Sequence, residues 1–274
     1  MGDSPLDLLK EEMNNDETYI RVNAIHRIPI IATIIGKDAV RSQLLPYLTT
    51  LLNESEEVLF ALANEFGNLG NFLSGSLSLL IQPLEQLAEI EETVVREEAV
   101  KSLNVIASKM SDSEIISTFA PMVLNLSVGQ SFMSRISAVG LLSCAYSRSG
   151  MFKEKFRAKF IELCHEETPI VRRATAKQMG EICQVLEREP LVNDILPVFR
   201  QLAQDDQDQI RVICLDSLIP IARSLNKDDN MRHTLPVALA AGEDKSWRIR
   251  IQFAKKFTEL ADAFGRDVTE MSMI

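Results

Sequence analysis

The sequence predicts an all-α fold, a right-handed α-solenoid of about seven tandem copies of a two-helix unit. The first observation is a position that recurs every 37 to 39 residues: Arg21, Leu59, Arg96, Arg135, Arg172, Arg211 and Arg248. The second is a proline series with the same period, in which one interval is doubled: Pro46, Pro83, Pro121, Pro197 and Pro236. Two series with one period of about 38 residues indicate a repeated structural unit.

Each copy is predicted to be a helix, a short turn, a second helix and a longer turn. In the sixth copy an apolar stripe with helical spacing runs from Leu191 to Leu202, and a polar turn follows at residues 204–208. A second stripe then runs from Ile210 to Ile221. The third copy repeats this plan, and Val94 and Val95 are expected to face inward at the start of its second helix.

The copies are expected to form one array over residues 1–274. Their approximate limits are 5–38, 40–76, 77–112, 114–150, 152–189, 191–226 and 230–267. One unit cannot bury its own apolar faces, so neighbouring copies must cover them.

Both recurring residue types have structural explanations. An interior proline removes a backbone hydrogen bond, so the proline series predicts a bend in the first helix of five copies. The arginines lie in the first turn of the second helix, where the helix dipole does not favour a cation. We therefore expect each arginine to order the stack by reaching an acidic group or a turn carbonyl of an adjacent copy, and direct partner contact is the alternative.

Composition narrows the function classes. The chain has 29 basic and 39 acidic residues, a net charge of −10, which does not favour nucleic-acid binding. The four cysteines, which lack a C-x-x-C pair, are expected to be buried reduced thiols: Cys144, Cys164, Cys183 and Cys214. The N-terminal segment is acidic and unlike a signal peptide, and no apolar run is long enough to span a membrane. We expect a cytoplasmic protein, with a nuclear pool as an alternative.

Helical pairs of this length, with proline in the first helix and an acid before Val-Arg in the second, resemble HEAT repeats. Longer strings are similar to the scaffold (A, structural) subunit of protein phosphatase 2A. They lie at residues 41–48, 90–96, 167–174, 243–250 and 256–260. The similarity extends in register over residues 5–268.

This resemblance implies a non-catalytic platform without a cofactor or metal. In the family, the turns inside the repeats form a ridge that binds exchangeable regulatory (B-type) subunits. The last repeats bind the catalytic subunit, so that subunit is expected here only if the missing C-terminal repeats are present.

The family's ridge corresponds to a defined set of turn residues in this chain. They are Glu56, Glu57, Glu91, Glu92, Thr93, Phe132, Met133, Thr168, Pro169, Ile170, Asp206, Asp208, Lys245, Ser246 and Trp247. Trp247 and Phe132 are the most suggestive, because turn aromatics have little reason to pack internally and aromatic anchors often dominate interface energies. Ordinary packing over the turn is the alternative for both aromatics, and solvated helix caps are the alternative for the acidic residues.

Two other functions fit a HEAT-like chain less well. A metal oxygenase needs several His-Glu pairs, whereas His165-Glu166 is the single such pair among His26, His165 and His233. No nucleophile elbow, P-loop or dinucleotide glycine pattern is present, so no catalytic residue is expected. Another HEAT adaptor, for example in nuclear transport, is the stronger competitor, but the specific turn strings argue against it.

Overall fold

The computed structural model describes residues 4–272, and all regular secondary structure within that range is helical. The predicted all-α class is therefore confirmed. The chain divides into two compact units, of which the first ends at Ser149 and the second begins at Gly150. This division coincides with the predicted boundary between the fourth and fifth copies, and the single continuous array stays a prediction.

The first unit contains four helix pairs. Its α-helices are α1 (Pro5–Met13), α2 (Thr18–His26), α3 (Ile28–Ile35), α4 (Lys37–Ala39), α5 (Leu45–Thr49), α6 (Glu56–Leu69), α7 (Ile81–Leu87), α8 (Thr93–Lys109), α9 (Asp112–Glu114), α10 (Ala120–Ser127) and α11 (Phe132–Arg148). The second helices α2, α6, α8 and α11 pack consecutively against one another.

The second unit contains three helix pairs. Its α-helices are α12 (Lys153–Cys164), α13 (Pro169–Val185), α14 (Arg188–Pro190), α15 (Leu196–Leu202), α16 (Asp208–Ser224), α17 (Lys227–Asp229), α18 (Leu235–Gly242), α19 (Trp247–Phe264) and α20 (Arg266–Ser272). The second helices α13, α16 and α19 pack consecutively. Gly180 lets α13 and α16 pack closely, because a Cβ at this position would lie 2.7 Å from Cγ of Pro220 in α16.

The proline series marks an irregular turn in the first helix. A π-helical turn precedes four of the five prolines, at Val40–Leu44, Ile115–Phe119, Leu191–Ile195 and Asn230–Thr234, and a 3₁₀ turn at Leu77–Leu80 precedes Pro83. The fifth copy lacks the proline, and its first helix α12 is uninterrupted. Since proline cannot donate to the helical ladder, the wider turn accommodates the missing hydrogen bond. An irregular turn therefore precedes each proline of the series, and the bend itself stays a prediction.

The cores of both units are mainly aliphatic, as the composition indicates, with several fully buried aromatic rings among them. All four cysteines are free thiols; Cys144 is half-buried and the other three are buried. Burial raises the pKa of the Cys164 thiol to about 12, so this thiol stays protonated at neutral pH. In contrast to the expectation, Val94 is 54% exposed in the first turn of α8, while Val95 is fully buried.

Candidate partner-binding turns

The turn between the two helices of each copy is the candidate functional site. We number these turns by copy: turn 1 (14–17), turn 2 (50–55), turn 3 (88–92), turn 4 (128–131), turn 5 (165–168), turn 6 (203–207) and turn 7 (243–246). Each ends where a second helix begins, so the first residues of that helix, which include several of the predicted ridge residues, belong to the same surface.

One arginine fastens each of six turns to the helix that follows it. Arg21, Arg96, Arg135, Arg172, Arg211 and Arg250 donate from Nη1 to the carbonyl oxygen six residues earlier, at 2.6–3.0 Å. Those carbonyls follow the C-terminal end of the first helix, where a cation is favoured. The dipole of the second helix disfavours the guanidinium in its first turn, but the dipole of the first helix favours the same charge at its C-terminal end and offsets this effect.

Two parts of the arginine prediction need correction. The carbonyl partners belong to the arginine's own copy, and only the acidic partners belong to a neighbouring copy. In the seventh copy the carbonyl contacts are made by Arg250, whereas Arg248 donates to Asp208 of the preceding copy at 3.0 Å. The reason is that α19 begins at Trp247, so Arg250 is its fourth residue, as Arg211 is the fourth residue of α16.

Carboxylates join consecutive turns in the second unit. Arg172 donates from Nε to Asp205 Oδ2 at 2.7 Å, and Arg211 donates to both oxygens of Asp244 at 2.9 Å. Ser246 also donates to Asp208 at 3.2 Å. Turns 5, 6 and 7 therefore lie side by side.

These pairs lower the pKa values of the turn carboxylates Asp205 and Asp244. The hydrogen bond from Arg211 holds the pKa of Asp244 below its ordinary value, with a further contribution from the Ser246 amide. Burial acts to raise the pKa of Asp205, but hydrogen bonds from Arg172 and the Gln207 amide outweigh burial and lower it. Both groups are charged at neutral pH and hold their arginines in place.

The first unit joins its turns with fewer charges. Arg21 lies 3.5 Å from Glu54 of turn 2, and Ser134 donates to Glu89 of turn 3 at 2.9 Å. Arg96 bonds to the carbonyls of Ile90 and Glu91, both at 3.0 Å. The consecutive turns 1 and 2, and likewise turns 3 and 4, are thus in contact.

The predicted apolar ridge residues differ in exposure. Trp247 is 58% exposed and Ile170 is 46% exposed, each in the first turn of its helix. Arg248 lies over the Trp247 ring, with Cζ at 5.3 Å from the centroid, so the indole is held in an outward orientation by a side chain that Asp208 fixes in turn. Phe132 and Met133 are half-buried in the first turn of α11.

The polar ridge residues mostly face solvent. Those that are exposed are Glu56, Glu57, Glu91, Thr93, Pro169, Asp206 and Lys245, and those that are partly buried are Glu92, Thr168, Asp208 and Ser246. Thr93 accepts a hydrogen bond from Arg96 at 3.3 Å, and Asp208 accepts from Arg248 and Ser246. Thr93 and Asp208 therefore have structural roles in addition to their position on the surface.

Two exposed apolar residues at the turns escaped the sequence analysis. Tyr19 is 64% exposed in the first turn of α2, and Val94 is 54% exposed at the equivalent position of α8. Both precede the series arginine by two residues, as do Met133 and Ile170. This constant offset from the arginine is the signal that could have identified them.

No cluster of three or more His, Cys, Asp or Glu side chains that could bind a metal occurs within residues 4–272. His165 uses both ring nitrogens, one near the Ile161 carbonyl oxygen at 2.8 Å and one near Gln201 Oε1 at 2.5 Å. His26 lies 3.1 Å from Glu65. Within the same range, no helix has the length and apolar character needed to cross a bilayer.

Solved structures with a similar fold are helical-repeat proteins. Kap95p, in a structure with RanGDP, superposes with a TM-score of 0.78 at 12% identity and covers 96% of this chain and 36% of that chain. Kap121p bound to Ste12p also gives a TM-score of 0.78, at 13% identity over 97% of this chain and 30% of that chain. At this identity the likeness shows the fold alone, and it confirms the solenoid class.

Sequence relatives are more specific, although no family model matches the chain. It is 36% identical to the A-type regulatory subunit of protein phosphatase PP2A from Schizosaccharomyces pombe over 95% of this chain and 45% of that protein. It is 31% identical to the protein of the same description in Saccharomyces cerevisiae, over 95% and 43% of the two chains. The beta isoform of the human 65 kDa A-type regulatory subunit of phosphatase 2A is 41% identical over 67% of this chain and 31% of that protein.

The chain spans less than half the length of these curated relatives. Their shared description agrees with the resemblance carried by the turn strings and with the helix-pair fold. The chain belongs to the family of protein phosphatase 2A scaffold subunits, also described as A-type regulatory subunits.

Proposed function

We propose that the chain is a non-catalytic scaffold that binds regulatory (B-type) subunits of protein phosphatase 2A through its turns. The observation that supports this most is the exposure of large apolar side chains in the first turn of the second helices, with Trp247 foremost. Exposed aromatic side chains held in one orientation lose little entropy on binding and are effective anchors. Binding of the catalytic subunit is proposed only for a chain that carries further C-terminal repeats.

Substitution of Trp247 tests the proposal. Trp247→Ala is expected to lower the affinity for a purified regulatory subunit by about 30-fold, because loss of an interface aromatic costs about 2 kcal/mol. The thermal unfolding midpoint should change little, since the ring is mostly exposed. The measurement is a calorimetric titration with a matched control, Met231→Ala, which removes a 43% exposed apolar side chain away from the turns.

Unchanged affinity in Trp247→Ala, or an equal loss in Met231→Ala, would contradict the role of the turns. The transport-adaptor alternative is less favoured, because phosphatase subunits of several species are 31–36% identical to this chain over 85–95% of its length. For location we propose the cytoplasm with a nuclear pool, which imaging of a fluorescent fusion tests.

A further inference from the structure

A cavity of about 350 Å³ opens between the sixth and seventh copies. Its apolar surface includes Cys214 and Leu215 of α16, Ala240 and Ala241 of α18, and Ile249 of α19. Small-molecule sites are typically about 300–1,000 Å³, so this cavity has room for one or two side chains of a partner. It is separate from the exposed ring of Trp247, which does not line it.

The cavity follows from a small residue at one repeated position. Five residues after the proline of the first helix, the chain buries a leucine in three copies: Leu51, Leu126 and Leu202. The seventh copy has Ala241 there, which leaves the volume of most of a leucine side chain unfilled. In the third copy, which also has alanine (Ala88), Ser137 of the next copy approaches closely enough to donate to the Ala88 carbonyl at 2.6 Å.

The charges around the cavity favour an anionic occupant. The two carboxylates that line it, Asp205 and Asp244, are each paired with an arginine. Arg200 and Lys245 also line it; neither makes a direct ion pair with a described residue, although Lys245 lies near enough to Asp244 to help lower the pKa of that carboxyl. The charged side chains that line the cavity are three cations, Arg200, Arg211 and Lys245, and two carboxylates, and this local excess of positive charge contrasts with the net charge of −10 for the whole chain.

We propose that this cavity binds an acidic peptide segment of a partner protein, with one aliphatic side chain inserted against Ala241 and flanking carboxylates at Arg200 and Lys245. The apolar insertion supplies affinity, and the charges select the segment and its orientation. Lys245 also belongs to the predicted ridge, so the test below uses a free peptide and no phosphatase subunit, which keeps a failure of this inference distinguishable from a failure of the proposed function.

The experiment uses the full chain with ¹³C-labelled isoleucine methyl groups. The probe is the peptide acetyl-Ala-Glu-Leu-Glu-Ala-amide, and the reporter is Ile249, which lines the cavity and is 1% exposed. Ile25, in the first unit, is the reference signal. We expect saturable shifts of the Ile249 methyl groups with a dissociation constant of about 1 mM, as for a small contact, and no change at Ile25.

Two control peptides separate the contributions of charge and side chain. Replacing both glutamates by lysine, or the leucine by alanine, should weaken binding at least about tenfold. Inorganic phosphate tests a simple anion site. Saturable Ile249 shifts with phosphate at the same affinity, or equal binding of the lysine peptide, would overturn the proposed occupant.

Two variants test the cavity itself. Ala241→Leu restores the residue of the second, fourth and sixth copies; it should fill the space, keep or raise the unfolding midpoint and abolish the Ile249 shifts. The double variant Arg200→Gln, Lys245→Gln leaves the core intact and should weaken binding about tenfold. If Ala241→Leu does not fold, the double variant decides. Wild-type affinity in either folded variant, or no Ile249 shift up to about 10 mM peptide in the wild type, would overturn the proposal.

Discussion

The two units use the same arginine position but join their copies with different chemistry. In the second unit, Arg172 and Arg211 each bind a turn carbonyl and a carboxylate of the next copy. In the first unit, Arg96 binds carbonyls of its own turn, and polar links between copies also lie further along the second helices. There Asn64 donates to Glu98 at 2.7 Å, and Asn104 donates to the Gly140 carbonyl at 3.1 Å.

This difference separates two roles of one residue. Fastening a turn to its own helix requires only an arginine and two free carbonyls. This contact recurs in the six copies that have an arginine as the fourth residue of the second helix or at the equivalent position. The two-contact pairing of the second unit requires in addition an aspartate six residues before the next arginine, as Asp205 and Asp244 are. The third and fourth copies have Ile90 and Gly129 at that place.

The largest expected effect is in the second unit. Arg211→Ala should lower the free energy of unfolding by about 3 kcal/mol, because it leaves the largely buried carboxylate of Asp244 without its partner. Urea denaturation monitored by circular dichroism measures this. Arg248→Ala is the matched control, since its pair with Asp208 is mostly exposed and should contribute less than about 1 kcal/mol. Equal losses in the two variants would refute the distinction.

In the first unit, Arg96→Ala should cost less, about 2 kcal/mol. It removes hydrogen bonds to two carbonyls and to Thr93 but leaves no carboxylate unpaired. The same denaturation experiment compares it with Arg211→Ala. A loss for Arg96→Ala as large as that for Arg211→Ala would mean that the carbonyl contacts alone account for the stabilisation.

The links along the second helices predict a smaller change. Asn64→Ala removes the hydrogen bond to Glu98 and should lower the free energy of unfolding by about 1 kcal/mol, because Lys101 still pairs with the same carboxylate at 3.0 Å. Exchange of α8 amides in native conditions should become faster in this variant. Unaltered exchange and stability would show that these contacts do not join the copies.

The smallest effect is the pH dependence of the carboxylate pair. Since Arg211 lowers the pKa of folded Asp244, its contribution is complete above the ordinary value of 3.8 and is lost as pH falls through the lower folded value. Asp244→Asn should therefore be less stable than the wild type above about pH 5, by at most about 1 kcal/mol because the amide oxygen can still accept from Arg211, and the difference should shrink as pH falls below 3.8. A constant difference across this range would contradict the assignment.

Period, fold class and the proline irregularity could be predicted from sequence because each is set by local residue types. The register of the seventh copy could not, because Arg248 and Arg250 both fit a period near 38. The helix start decides between them, and it is fixed by Asp244, which accepts the Ser246 amide at 2.7 Å. Exposure of Val94 and the cavity beside Ala241 depend on packing between copies, which periodicity does not specify.

The most direct test of the scaffold account is amide hydrogen exchange with and without a bound regulatory subunit. The account predicts protection at turns 2 to 7 and at the first residues of the helices that follow them, with the largest change around Trp247. Segments at the opposite ends of the same helices, such as residues 70–76 and 225–226, should exchange unchanged. Protection confined to those opposite segments, or the absence of any protection, would contradict the claim that the turns are the docking surface.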